Sequence, residues 1–171
     1  DNELVRVSTP VLKELGDTTG QTAVLSILDD WQFGLCINKY EARTAIKLVS
    51  VVGKRIPLHA GATGKALLAF APSWVQKLIL ENELEMYTPH TICKKEALEK
   101  ELEQIRRKGV AISVEEVDPG AAAVGVPILD GGGGLVGGIS VAGPRFEFEG
   151  KWDGFIDCVK QAADAIAGQL G

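Results

Sequence analysis

The sequence predicts an α+β domain built on an antiparallel sheet of about six strands, with helices on its flanks. Three observations carry that expectation. Segments with apolar residues at period two fall into two groups, near 22–52 and 111–142, linked by short turn-rich stretches suited to hairpins rather than by crossover helices. Segments with helical apolar spacing stand apart, at the two ends and in one block between the strand groups. The length of 171 residues, with 46% apolar and 24% charged residues, fits a single domain, residues 1–171, with a core of its own.

Taken in order, Leu4, Val5, Val11, Leu12 and Leu15 predict a helix over 3–15, bent at Pro10 and stopped at Gly16. Two apolar runs, 22–28 and 33–37, flank the turn signal Asp29-Asp30 and read as an antiparallel pair. Ile46 and Leu48, at period two, add a third strand over 43–52. Gly61 and Gly64 then flank a turn from which small and apolar residues run at helical spacing, so 62–70 is a helix that Pro72 ends. Ser73 with Gln76 three later matches a capping box and opens a second short helix over 74–81. Leu98, Leu102 and Ile105 recur at i, i+4 and i+7 in a Lys/Glu-rich background before Gly109, an amphipathic helix with a solvated face.

Beyond Gly109 the period changes to two, which turns Ile112 and Val114 one way and Ala111 and Ser113 the other. The runs 121–129 and 135–142 form a hairpin around Asp130 and four glycines, which predict a loose tip. Trp152, Phe155, Ile156, Val159, Ala163, Ile166 and Leu170 give a long amphipathic helix to the C-terminus.

The chemistry in this pattern favours binding over catalysis. A net charge of −5, with no basic cluster interleaved with aromatics, argues against nucleic-acid binding by this chain itself. No apolar run approaches the roughly 18–20 residues of a membrane span, and nothing near Asp1 resembles a secretion signal, so a cytoplasmic protein or a piece of one is expected. Cys36, Cys93 and Cys158 are odd in number and far apart, and read as free, mostly buried thiols. Gly64-Lys65 fails as a phosphate loop, because His59 stands where a glycine is needed and Ala66 where Ser or Thr is needed.

His59 and His90 lack carboxylates or cysteines at ligand spacing, so no metal is expected, and His59 reads as the anchor of its turn. Glu115 and Glu116, adjacent on a strand end, point to opposite faces and read as solvated or salt-bridged. Ser140 lies mid-strand with no His or Asp near it in sequence, so no catalytic residue is assigned, and no cofactor. By contrast, the N–H groups of Gly61, Ala62 and Thr63 would be the orphan donors of a helix start, a site that attracts anions by about 0.3–1 kcal/mol, and by up to about 2 when partly buried. The competing reading is that Gly61 and Gly64 merely let that helix pack tightly on the sheet.

Several segments together resemble the C-terminal, effector-binding domain of the isocitrate-lyase-regulator (IclR) family of transcription factors. They are Val52-Gly53-Lys54-Arg55-Ile56-Pro57-Leu58-His59-Ala60, Gly64-Lys65-Ala66-Leu67-Leu68-Ala69, Ile105-Arg106-Arg107-Lys108-Gly109-Val110-Ala111, Glu116 with Gly120, Val126-Pro127-Ile128, Ile139-Ser140-Val141-Ala142-Gly143-Pro144, and the tail from Ala162 to Gly171. They cover almost the whole chain in family order. The resemblance implies a GAF/profilin-like six-stranded antiparallel sheet, a homodimer or tetramer, and DNA contacted through an N-terminal winged helix-turn-helix domain that is absent from this chain and joined to it by the helix at 1–16.

It also implies a small organic acid as effector, bound over the helix at 62–70 and capped by the loop 116–120. By position, Gly61 and Ala62 would take the carboxylate, Ser113, Ala121 and Ala123 would form walls, and Ser140 and Ala142 would face it from the last strand. Some relatives carry an acid at the position of Ser113 and a hydroxyl at that of Ala142. This sequence is less polar there, and Ala121 and Ala123 leave room, so a bulkier or more apolar acid, aromatic ones included, is expected. On these grounds Ser140→Ala and Gly61→Val should each weaken binding without unfolding the domain. An enzyme acting on the same acid, or a dimerisation module with a vestigial pocket, are the alternatives.

Overall fold

The computed structural model describes residues 2–42 and 52–170. Among the described residues five α-helices and six strands follow one another as α1 (Asn2–Thr19), β1 (Thr22–Asp29), β2 (Phe33–Glu41), β3 (Arg55–Ile56), α2 (Ala62–Phe70), α3 (Ser73–Glu81), α4 (Lys95–Lys108), β4 (Ala111–Val114), β5 (Ala121–Leu129), β6 (Leu135–Pro144) and α5 (Trp152–Gln169). The strands form one sheet in the order β3-β2-β1-β6-β5-β4, every neighbouring pair antiparallel. The sheet is the α+β architecture that the hairpin grouping predicts. The strand expected over 43–52 lies almost wholly outside the described residues.

Period-two alternation sorts the side chains onto two faces, and helices cover both. Ala122, Val124, Val126 and Ile128 of β5 and Ile139 and Val141 of β6 pack with Leu4, Leu12 and Leu15 of α1 and Phe155, Val159 and Ile166 of α5. The opposite face carries the helix block, with Leu67 and Leu68 of α2, Val75 and Ile79 of α3 and Leu98, Leu102 and Ile105 of α4 in one buried cluster. Each cluster removes a continuous apolar surface from water, the dominant favourable term in folding.

Close approach of α2 to the sheet depends on glycine. A Cβ on Gly125 of β5 would lie 2.7 Å from the Ala62 carbonyl oxygen and 3.1 Å from the Thr63 nitrogen, and one on Gly64 would run into the Pro57 carbonyl oxygen. The N-terminus of α2 is therefore pressed onto the middle of the sheet, where a pocket can form beside it.

Local departures from the sequence reading have local causes. Helix α1 runs through Gly16, whose missing side chain makes room for the Tyr40 ring, and Gly20, at φ +70°, ends it instead. Helix α3 has Pro72, not an outlying Ser73, at its N-cap, and no side-chain capping bond. Gln76 serves the preceding helix, its amide donating to the Ala69 and Ala71 carbonyls. The glycine tip is organised by Asp130, whose Oδ1 accepts from the N–H groups of Gly132 and Gly134. On β4 it is Ala111 and Ser113 that are buried, while Ile112 is exposed.

Candidate functional site

A cavity of about 690 Å³ lies between the start of α2 and the sheet, within the usual size of a small-molecule site. Its floor is made by Val24 and Ser26 of β1, Cys36 of β2, Ala123 of β5, and Ser140 and Ala142 of β6. Thr63 of α2, the segment from Lys54 to His59, and Ile79 with residues 82–85 and Tyr87 form its sides, and Val117 and Asp118 close it from the loop at 115–120. Thr63 Oγ1 donates to Ser140 Oγ at 2.7 Å, which leaves the Ser140 proton free to be donated elsewhere.

Of the positions singled out in the sequence, Ala123, Ser140 and Ala142 are on the cavity wall. They come together because Ala123 pairs directly with Ala142 across β5 and β6, and Ser140 lies two residues along the same face. Gly61 and Ala62 sit at the start of α2, beside the cavity but not lining it, and Gly61 (φ +85°, ψ 154°) holds a conformation that only glycine adopts freely. Ser113 is buried opposite Ala123 on β4, and Ala121 lies opposite Pro144; neither reaches the cavity wall. Ser26 and Tyr87 line it without having been singled out as effector contacts, and Thr63, singled out for its backbone N–H alone, lines it as well.

The polar network under the start of α2 centres on a residue that sequence reasoning passed over. Lys65 is fully buried, and its Nζ donates to Glu116 Oε2 at 2.8 Å, Glu101 Oε2 at 2.6 Å and the Ile112 carbonyl at 2.8 Å. The other Glu116 oxygen accepts the Gly61 N–H at 3.1 Å. A carboxylate of the protein thus already holds the outermost donor of the helix terminus, while helix geometry leaves Ala62, Thr63 and Gly64 N–H without intrahelical acceptors. The signal available in the sequence was a single charged residue set among Gly64, Ala66, Leu67, Leu68 and Ala69, every one of which is buried.

The two adjacent glutamates do point apart, with different fates. Glu115, at φ +55°, accepts from Gly120 N–H and from Arg145 Nη1 at 2.7 Å, and these partners hold its carboxyl below the usual glutamate range. Glu116 turns inward to Lys65, and Thr91 Oγ1 donates to its carbonyl at 2.6 Å. The loop between β4 and β5 is therefore tied at both faces. His59 Nε2 lies 2.8 Å from the Glu85 carbonyl and its ring stacks on Tyr87, so it anchors its turn to the segment across the cavity. Burial pushes the Tyr87 phenol and the Cys36 thiol up from their ordinary values.

All three cysteines are free. Among the described residues no group of three His, Cys, Asp or Glu side chains could hold a metal ion, and no helix is long and apolar enough to cross a membrane.

Comparison with known proteins places this architecture. Residues 1–168 match the family described as bacterial transcriptional regulator IclR, C-terminal. The chain is 36% identical over 166 residues to the HTH-type transcriptional regulator BhcR of Paracoccus denitrificans and 32% identical over 171 residues to the HTH-type regulator KdgR of Escherichia coli. Those alignments cover 96% and 99% of this chain but 59% and 65% of the relatives, so the chain spans about three fifths of their length. The relatives bear the names of regulators, not of enzymes.

Among solved structures, that of the Thermotoga maritima IclR superposes with a TM-score of 0.91 at 36% identity, over 98% of this chain and 68% of that one. An IclR homologue from Microbacterium hydrocarbonoxydans in complex with 4-hydroxybenzoate superposes with a TM-score of 0.88 at 23% identity, over 96% of this chain and 67% of that one, and so shares the fold.

Proposed function

The chain belongs to the IclR family of transcriptional regulators, whose C-terminal domain it matches along nearly its whole length, and from that premise we propose that it senses a small organic acid and thereby controls DNA binding. The observation that carries the reading is the cavity of about 690 Å³ beside the start of α2, with the Thr63–Ser140 hydroxyl pair on its wall. On this reading the effector carboxylate meets the N-terminus of α2 at Ala62 and Thr63, next to Gly61, and accepts the Ser140 proton. Ala123 and Ala142 bound its body, with Ser113 and Ala121 behind them. A charge-assisted hydrogen bond from one hydroxyl contributes about 1.5–3 kcal/mol, enough with the helix terminus to select an acid without an arginine.

Size and lining favour a bulky acid. The cavity is larger than a three-carbon acid requires, and its floor offers aliphatic and alanine surface at Val24, Ala123 and Ala142. The 4-hydroxybenzoate bound by the Microbacterium neighbour is an acid of that kind on the same fold. DNA would be contacted by an N-terminal domain outside this chain, in a cytoplasmic homodimer or tetramer. Binding would stabilise one arrangement of the loop at 115–120 and shift the population of protomer geometries, which requires different affinities in the two states.

A melting-shift panel of organic acids followed by calorimetry tests the reading. Wild-type protein should be stabilised by a bulky monocarboxylic acid, and Ser140→Ala should weaken that binding roughly tenfold or more while costing the unliganded protein only about 1 kcal/mol for the lost Thr63 bond. A panel in which pyruvate binds tightly and aromatic acids do nothing would overturn the size argument. A panel in which no acid binds would overturn the function.

A further inference from the structure

Among the described residues two buried hydroxyls, Thr22 Oγ1 and Ser26 Oγ, have no hydrogen-bond partner, and one of them, Ser26, lines the cavity. Ser26 is 0% exposed. Buried hydroxyls are almost always paired, because leaving one unpaired forfeits the bonds it would make to water. Thr22 is equally unpaired but does not line the cavity; at Ser26 a group that enters the cavity could supply the missing partner.

The backbone is arranged around this position. The β1–β2 register shifts between Leu25 and Ser26: Leu25 pairs with Asn38, but Ser26 pairs with Cys36, leaving Ile37 as the extra residue of a bulge. Such a bulge re-aims side chains. In regular register Ser26 would face Ile37; instead Cys36 lines the cavity beside it, and Ile37 packs against the cluster on the other face of the sheet. On its other side Ser26 pairs with Gly138 of β6, which has no side chain of its own; Leu67 and Thr63 of α2 pack over that glycine instead. Ser140, the proposed carboxylate contact, pairs with Val24, one diagonal step away at roughly 7–8 Å between backbones.

We infer that Ser26 is a specificity-determining contact for the effector, and that the effector carries, besides its carboxylate, a neutral hydrogen-bonding oxygen, a hydroxyl or carbonyl, that meets Ser26 Oγ at the sheet end of the cavity. The inference rests on the acid-binding reading above. The second group is neutral because the floor around Ser26, made of Val24, Cys36 and Ser140, offers no cation, and an unpaired buried charge is strongly unfavourable. The cations on the wall, Lys54 and Arg55, lie on its exposed side, and Arg55 is engaged by Asp29 at 2.8 Å.

The experiment uses two matched pairs of probes, benzoate with 4-hydroxybenzoate and butyrate with 2-oxobutyrate, titrated calorimetrically into wild type and Ser26→Ala. At least one pair should bind wild type, with the oxygenated member preferred about tenfold. Ser26→Ala should abolish that preference while leaving the affinity of the plain acid within about twofold. Its unliganded melt should not fall, because the substitution removes an unsatisfied group. The inference is overturned if both members of a binding pair weaken equally, if the preference survives in Ser26→Ala, or if the variant is destabilised without ligand. If none of the four probes binds wild type, the acid-binding reading fails for these acid classes and the inference fails with it. Binding without dependence on Ser26 removes the inference alone.

Discussion

Replacing Lys65 by methionine, a side chain of similar length and no charge, isolates the buried ion pair under α2. In the wild type the ammonium is wholly buried, the Glu116 side chain is 11% exposed and that of Glu101 29%. Removing the ammonium leaves the Glu116 carboxylate in a desolvated place with the Gly61 N–H to hold it. Breaking a buried pair from one side costs about 3–5 kcal/mol, most of it the uncompensated charge that remains. Glu101 is better solvated, so Glu101→Gln should cost no more than about 1 kcal/mol.

For a chain of this size the Lys65→Met loss corresponds to roughly 6–20 °C in melting temperature, out of a total stability of about 5–15 kcal/mol. Urea unfolding of Lys65→Met, Glu116→Gln and the double variant measures it. The double variant should be more stable than the sum of the singles implies, with a coupling of about 1–3 kcal/mol, because neutralising Glu116 removes the orphan charge. A Lys65→Met loss below about 1 kcal/mol, or additivity within about 0.5 kcal/mol, would refute the assignment of a coupled buried pair.

Two further outcomes follow from close contacts and burial. Gly125→Ala places a methyl against the Ala62 backbone and should destabilise by about 1–3 kcal/mol, whereas Gly168→Ala, in α5 with open space around it, should stabilise by about 0.5–1 kcal/mol; equal effects in urea unfolding would discredit the packing argument. Cys36, whose thiol burial pushes above its ordinary 9.0, should be alkylated by iodoacetamide at pH 8 far more slowly than glutathione, and more slowly still when an acid fills the cavity it lines. The folded chain holds that proton to higher pH than the unfolded chain does, so the contribution to stability is present below the unfolded thiol range and is lost as pH rises through the folded value. Peptide mass spectrometry of the labelled protein reads the rate; labelling as fast as glutathione would contradict the buried placement.

What could be read from the sequence was what periodicity and punctuation encode. The bounds of α2 and β5 follow from Gly61, Pro72 and the turn residues on either side of 121–129, because glycine and proline constrain the backbone wherever they fall. Gly16 misled because a glycine has two uses, and here it clears space for Tyr40 while Gly20 terminates the helix. Ser73 and Gln76 misled because a capping box is a local pattern, whereas Gln76 found acceptors at the end of the preceding helix. Within the cavity, Ala123, Ser140 and Ala142 were legible because period two places them on one face. Ser26 was not, since its place on the wall is fixed by partners more than 100 residues away in β6 and by a bulge that no local pattern announces. Gly61→Val also changes meaning: at φ +85° the substitution strains the backbone, so loss of binding in that variant would not separate a contact from a distorted turn.

Lys65 reconciles the two sequence readings of the helix start, as anion seat and as tight packing. Gly64 and Gly125 press α2 onto the sheet, which is the packing role. The same pressing buries Lys65 and brings Glu116 onto the Gly61 N–H, so the terminus already holds one anion. A second carboxylate brought to about 5 Å from a bare Glu116 would meet a repulsion of about 3 kcal/mol at an effective dielectric constant of about 20. The helix terminus returns at most about 2 kcal/mol, so on charge alone the seat would reject an acid. The Lys65 ammonium, 2.8 Å from Glu116 and shared with the better solvated Glu101 at 2.6 Å, offsets part of that repulsion, and the donors of Ala62 and Thr63 and the Ser140 hydroxyl can then act on the incoming group. On the proposed function the buried lysine is therefore what makes an acid-binding terminus out of one already bearing a carboxylate, and Lys65→Met should lose acid binding under conditions where the variant is still folded.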